Sequence, residues 1–331
     1  MEQTLSTRVF IMDKNKFTLS FLVLIVFILL LIFLIFSQNT VLNISNRSTS
    51  TSASSENNKY YERYVKFRSK IHYITRENAV INSNNILGII FHNSSYQFKE
   101  INYREKKFFS WYTQYELIYI INSSTKLIIE IDGLTGRLHS YTILGRSICG
   151  SKPAVNSTYW KNTALNLLRK YGYNLGNNID LVLIKYNYDE NGCLWIKFAF
   201  KINGYIVDHF TGVTILYNPC TNTTEGVSIA SHILYMYENG LFYNVKEIPQ
   251  VENLLSKTIN KLEDLYGQIN DYSLVNYTIV WYFLDVDNDN EWDIPVLTYK
   301  LIIDYVGEKG EGRAIVYIDL KSGEVIDIYQ I

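Results

Sequence analysis

The first apolar pattern along the chain is unbroken. Residues 17–36 read FTLSFLVLIVFILLLIFLIF, 20 positions without a charge, a Gly or a Pro. As a helix rising 1.5 Å per residue, that stretch covers about 30 Å, the thickness of a bilayer core. It exceeds the roughly 7–15 apolar residues of a signal-peptide core, and no small-x-small cleavage site follows; the next residues are Ser37, Gln38, Asn39 and Thr40. The pattern predicts an uncleaved transmembrane helix whose partner is the lipid bilayer. Arg8, Lys14 and Lys16 precede the span, and the first basic residue behind it is Arg47. The positive-inside rule then keeps residues 1–16 in the cytoplasm and puts the remainder outside the cell membrane. Residues 37–59 are rich in Ser, Thr and Asn and have neither a helical nor a strand period. Such a segment buries too little apolar area to offset chain entropy, and it reads as a stalk.

Beyond the stalk, helical and strand periods alternate. Tyr60, Tyr64, Phe67, Ile71 and Ile74 form a first stripe at helical spacing. A second runs from Thr158 to Tyr171, with Trp160, Ala164, Leu167, Leu168 and Tyr171 on one face. Ser157 is its candidate N-cap, and Gly172 follows it. A third runs from Pro249 to Tyr266, with Val251, Leu254, Leu255, Thr258, Ile259, Leu262, Leu265 and Tyr266 as its stripe. Strand-like runs follow each stripe. Behind the first come ILGIIFHN, SYQFKEINY, WYTQYELIYII, KLIIEID and LHSYTIL; behind the second IDLVLIKYNY, CLWIKFAFKI, GYIV and VTILYN. Behind the third come SLVNYTIVWYFLDV, PVLTYKLIIDYV, RAIVYIDL and EVIDIYQI. This order predicts an α+β fold: the membrane helix, then repeated helix-plus-antiparallel-meander units. The units are expected at 60–148, a divergent first copy, at 155–240 and at 247–331.

Two of these units end on the same hairpin. Ile131-Asp132-Gly133-Leu134-Thr135-Gly136 matches Ile318-Asp319-Leu320-Lys321-Ser322-Gly323, each a strand, then D-x-x-[TS]-G, then a strand. The Asp and the hydroxyl can accept from turn N–H groups, and the Gly supplies positive φ. In the middle unit Asp208-His209-Phe210-Thr211-Gly212 also fits the pattern. Strand counting makes it a decoy and puts the matching turn, in an expanded form carrying Cys220 and Asn222, between Asn218 and Gly226. The unit resembles the PepSY domain, on the helix-then-strands order and on IDGLTGRL and IDLKSGEV. The resemblance covers 155–331 well and 60–145 loosely. It implies a non-catalytic module that inhibits a peptidase or serves the cell envelope. No peptidase motif lies in this chain, so inhibition would act in trans.

Composition narrows the function. Lys and Arg number 31 against 32 Asp and Glu, which gives no basic excess for nucleic acid. The 15% aromatic content favours strands. Charge is uneven, however. Residues 59–110 hold ten basic and four acidic side chains, and residues 280–331 hold four and eleven. Opposed patches of this kind suit contact between units or self-association of copies.

The candidate chemistry is sparse. Asp285, Asp287, Asp289, Glu291 and Asp293 alternate along one predicted turn and can converge on Ca2+, which takes 6–8 oxygens. The segment departs from an EF-hand loop, with Asn290 at the sixth position and Val296 at the twelfth; the bland reading is a solvated acidic tip. No other cofactor is indicated. His72, His92, His139, His209 and His232 form no metal-ligand pair and read as surface or packing residues. Gly145-Arg146-Ser147-Ile148-Cys149-Gly150 lacks the spacing of a nucleophile elbow, and the phosphate-binding glycine motifs are missing. Of the 3 cysteines, Cys149 and Cys220 are the candidate disulfide, with Cys193 left in a strand; three separate thiols are the alternative. N-x-[ST] sequons occur at Asn43, Asn46, Asn93, Asn122, Asn156, Asn222 and Asn276, all beyond the span. They are candidate glycosylation sites, although so Asn-rich a chain supplies several by chance. The sequence as a whole predicts a non-enzymatic, single-pass, membrane-anchored protein that binds or restrains another envelope protein, such as a peptidase. The alternative is a structural glycoprotein of the cell surface.

Overall fold

The computed structural model describes residues 55–91, 99–145, 148–150, 152–287, 289, 291 and 293–331. The expected membrane helix at 17–36 and the stalk up to residue 54 lie outside them, as do Asn43, Asn46, His92 and Asn93. Among the described residues no helix is long and apolar enough to cross a membrane.

Helix α1 (Ser55–Arg68) buries Tyr60, Tyr64 and Phe67, the front of the first stripe. Residues 55–59 are therefore helix rather than stalk. Ile71 and Ile74 fall behind the helix end, in the connector to α2 (Arg76–Phe91). This second helix replaces the strand expected at ILGIIFHN. Its start is set by Thr75, whose hydroxyl accepts from the Asn78 N–H at 3.3 Å, and by Glu77 in the first turn. Ala79, Ser83, Ile86 and Leu87 then fall on one buried face. A short run such as ILGII fits either period, and here the residues before it decide.

Strands β1 (Lys99–Phe109), β2 (Tyr112–Ile120), β3 (Lys126–Asp132) and β4 (Leu138–Leu144) form an antiparallel meander under α2. Helix α3 (Ser157–Lys170) has Asn156 rather than Ser157 as its N-cap, and it packs on β5 (Ile179–Tyr188). Then follow β6 (Leu194–Ile202), β7 (Tyr205–Val207), β8 (Val213–Asn218) and β9 (Thr223–Ile229). A short helix absent from the sequence expectation, α4 (Ser231–Glu238), comes next. Helix α5 (Glu252–Tyr266) packs on β10 (Ile269–Leu284), which leads to β11 (Ile294–Gly307), β12 (Gly310–Asp319) and β13 (Val325–Gln330).

All 13 strands join one sheet, in the order β1-β2-β3-β4-β9-β8-β6-β7-β10-β11-β12-β13, with β5 also paired to β6. Two junctions stitch the meanders together. Strand β4 meets β9 antiparallel, with Tyr141 opposite Val227, and β7 meets β10 parallel, with Ile206 opposite Val280. One contiguous apolar core runs beneath the sheet, from Tyr60 to Ile328.

The three hairpin turns repeat one geometry. Asp132 accepts from the N–H groups of Leu134 and Thr135, and Gly136 sits at φ 71°. Asp319 accepts from Lys321 and Ser322, and Gly323 sits at φ 70°. In the middle, Asn218 accepts from Cys220 and Thr221, and Asn222 sits at φ 55°. That turn is not expanded. Asn218-Pro219-Cys220-Thr221-Asn222 keeps the same spacing, with Asn in place of both the Asp and the Gly. Asn is the residue that best substitutes in both jobs, as a side-chain acceptor and in the left-handed region.

Candidate functional site

The acidic tip belongs to the loop between β10 and β11, closed by the Asp293 N–H donating to the Leu284 carbonyl at 3.1 Å. One carboxylate oxygen from each of Asp285, Asp287, Asp289 and Asp293 lies within 4.8 Å of the others. Glu291 does not join them. Its carboxylate instead accepts from the Ser110 N–H, between β1 and β2. Asp287 and Asp289 are exposed, whereas Asp293 has no solvent-accessible surface. Its Oδ2 accepts from the Val286 N–H at 2.8 Å, and its buried Oδ1 has no hydrogen-bond partner among the described residues. Burial, above all, pushes the Asp293 carboxyl up to about 7. The charges of Asp287 and Asp289 act in the same direction, against the pull of the Val286 N–H and the Tyr64 hydroxyl.

A second polar group surrounds the supposed decoy. Asp208 caps no hairpin turn. Its Oδ2 accepts from Lys300 Nζ and from the Tyr317 hydroxyl, both at 2.8 Å. His209, at φ 65°, pairs through Nε2 with the same hydroxyl at 2.8 Å. Burial pushes Asp208 up, but the Lys300 hydrogen bond, with the charges of His209 and Lys300, outweighs it and holds the carboxyl low. Burial holds His209 below the usual histidine range. The group edges an apolar cleft of about 430 Å³ that includes Ile184, Ile206 and Phe210. An ionised, paired Asp and a neutral His bonded to a tyrosine can orient a ligand there. Sequence reading missed this group because Lys300 and Tyr317 lie 92 and 109 residues beyond Asp208.

A Ser–His pair occurs as well. His139 Nδ1 is 3.0 Å from Ser231 Oγ, and the Tyr112 hydroxyl contacts both, at 3.2 and 2.5 Å. Ser231 is fully buried beneath Tyr112, so a substrate carbonyl has no line of approach to its oxygen. The three groups act as a packed polar bridge joining β2, β4 and α4. His232, its neighbour, packs against Phe109, Trp111, Tyr112 and Phe210. His72 is exposed.

Cys149 and Cys220 are joined by a disulfide, with Cα atoms 5.6 Å apart and a sequence separation of 71. The Cys149 N–H donates to the Asn191 carbonyl at 2.7 Å, and a Cβ on Gly192 would stand 1.7 Å from the Cys149 oxygen. The bridge thus ties the connector in front of α3, which rests on the β5–β6 turn, to the β8–β9 turn. Cys193 is buried, with its thiol 3.7 Å from Glu225 Oε2. Of the sequons, Asn122, Asn156, Asn222 and Asn276 are exposed. The first three sit on turns or a helix cap, and Asn276 lies at a register shift within β10.

No protein-family model matches the chain, and no curated protein matches it. Among solved structures it is similar to the Bacillus megaterium YpeB C-terminal domain, at 12% identity and a TM-score of 0.40, over 78% of this chain and 99% of that one.

Proposed function

We propose that this chain is a non-catalytic, single-pass membrane protein whose folded part lies outside the cell and binds or restrains another envelope protein, a peptidase being the partner class suggested by its PepSY-like repeats. The observation that carries the reading is the Cys149–Cys220 bridge. Structural disulfides persist in oxidising compartments and are rare in the cytosol. The bridge therefore supports the same placement as the 17–36 anchor and the charges in front of it. A supporting role falls to the polar side chains of the hairpins: Asp132, Asn218 and Asp319 are consumed in holding backbone turns. The three helix-plus-meander segments read as units at 60–148, 155–240 and 247–331, joined through one sheet.

The exposure of Asn122, Asn156, Asn222 and Asn276 favours a second reading, a structural glycoprotein of the cell surface. Three measurements test the pair. Protease added to intact cells removes everything beyond the anchor, and non-reducing peptide mapping recovers Cys149 linked to Cys220. A chain protected until lysis, with both thiols free, overturns the placement. The full chain used as bait against solubilised envelope then retains one partner in stoichiometric amount. Retention of nothing but further copies of itself favours the structural reading.

A further inference from the structure

The β10–β11 loop brings one oxygen from each of four carboxylates together, while the Glu291 N–H donates to Asp289 Oδ1 at 2.9 Å. Two oxygens bound to one Ca2+ at 2.3–2.6 Å stand at most about 5 Å apart, whereas around Mg2+ the limit is about 4.2 Å. The oxygens of Asp285, Asp287, Asp289 and Asp293 all lie within 4.8 Å of one another, inside the limit for Ca2+. The independent sign of a ligand is Asp293. This side chain is completely buried, and among the described residues its Oδ1 lacks a hydrogen-bond partner while Oδ2 is held by the Val286 N–H. Buried polar atoms are almost always satisfied, and a cation on the Oδ1 side would satisfy this one.

We infer that Asp285, Asp287, Asp289 and Asp293 form a calcium site, with the remaining oxygens supplied by second carboxylate oxygens and water. Glu291 is not a ligand. It turns away to the Ser110 N–H, so the loop that holds the ion also grips the β1–β2 turn. Calcium thereby fastens the first meander to the last. The inference stands apart from the anchored-binder reading, since neither the membrane span nor a partner enters it.

The test uses the full chain in detergent, stripped with a chelator and titrated with CaCl2 alone by calorimetry and thermal unfolding. The expected Kd is on the order of 0.1–1 mM, the range of extracellular modules. A tenfold to hundredfold excess of Ca2+ raises Tm by roughly 3–8 °C. Asp287→Asn combined with Asp289→Asn, both exposed, leaves the metal-free Tm in place or higher and removes the calcium shift. Asp293→Asn raises the metal-free Tm, because a buried carboxyl becomes a neutral amide, and also removes the shift. The site is overturned by the absence of heat and shift at millimolar Ca2+, by Mg2+ acting equally well, or by a calcium response that survives the double substitution.

Discussion

His232 shows how far a single side chain can run against its surroundings. It is buried among four aromatic rings, and neither ring nitrogen has a hydrogen-bond partner among the described residues. Burial drives its pKa down to about 3, with the nearby His139 adding to the effect. The neutral ring is therefore the folded form. Below the unfolded value of about 6.5 the unfolded chain takes up a proton that the folded chain refuses. Stability is then full above about pH 6.5 and falls as pH drops toward 3, by about 1.4 kcal/mol per unit for this residue. Replacing His232 by Phe keeps the ring contacts and removes the orphaned nitrogens. The substitution is expected to stabilise by about 1–3 kcal/mol at neutral pH and to flatten the decline of Tm between pH 6.5 and 4. A variant that melts lower at pH 7, or as steeply with acid, would show that His232 has a partner the structure does not reveal.

Among the elements, the three hairpin turns permit a controlled comparison. Asp319 Oδ2 accepts from Ser322 Oγ, the Ser322 N–H and the Tyr60 hydroxyl, three donors that an amide nitrogen cannot receive. Asp132 Oδ2, by contrast, is buried without a hydrogen-bond partner among the described residues, and burial raises its carboxyl against the pull of the nearby Ser231 hydroxyl. Asp319→Asn is therefore expected to cost about 2–3 kcal/mol and Asp132→Asn less than about 1 kcal/mol. Chemical unfolding of the two variants checks the order, and equal losses would refute the argument. The middle turn already runs on Asn218, whose Nδ2 donates to Glu225 Oε1 at 2.8 Å. This turn also shows what sequence reading could and could not reach. Asp132 and Asp319, each four residues ahead of a Gly, were legible because residue types announced their jobs. Asn218 and Asn222 perform the same jobs without announcing them, so the turn was located by strand counting but misjudged in length. Helix α2 was hidden for a different reason: ILGII carries no period of its own. The acidic loop was legible as a cluster, yet only three dimensions separate Glu291 from the four aspartates. The Asp208 group was illegible, because its partners come from distant strands.

At the scale of the whole molecule, the sheet that passes without a break from β1 to β13 makes independent unfolding of the three segments costly. Parting them at β4–β9 or β7–β10 would expose paired backbone and the core shared beneath it. Helix α1 adds a clasp from the start of the described chain to its end, through the Tyr60 hydroxyl on Asp319. Strand β1, at one edge, carries exposed Arg104 and Lys107, charges of the kind that keep an edge strand from recruiting another. The disulfide acts on this unit from the unfolded side. Closing a loop of 71 residues removes conformations from the denatured chain, worth about 2–4 kcal/mol in the folded state's favour. Replacing both Cys149 and Cys220 by Ser is therefore expected to lower Tm by roughly 4–16 °C. The melt should remain a single transition, since the segments are joined by the strand pairs β4–β9 and β7–β10 and not by the bridge. Calorimetry decides. Two resolved transitions in the Ser variant would mean that the segments are separate folding units held together by sulfur, and that the continuous sheet contributes little to their cooperation.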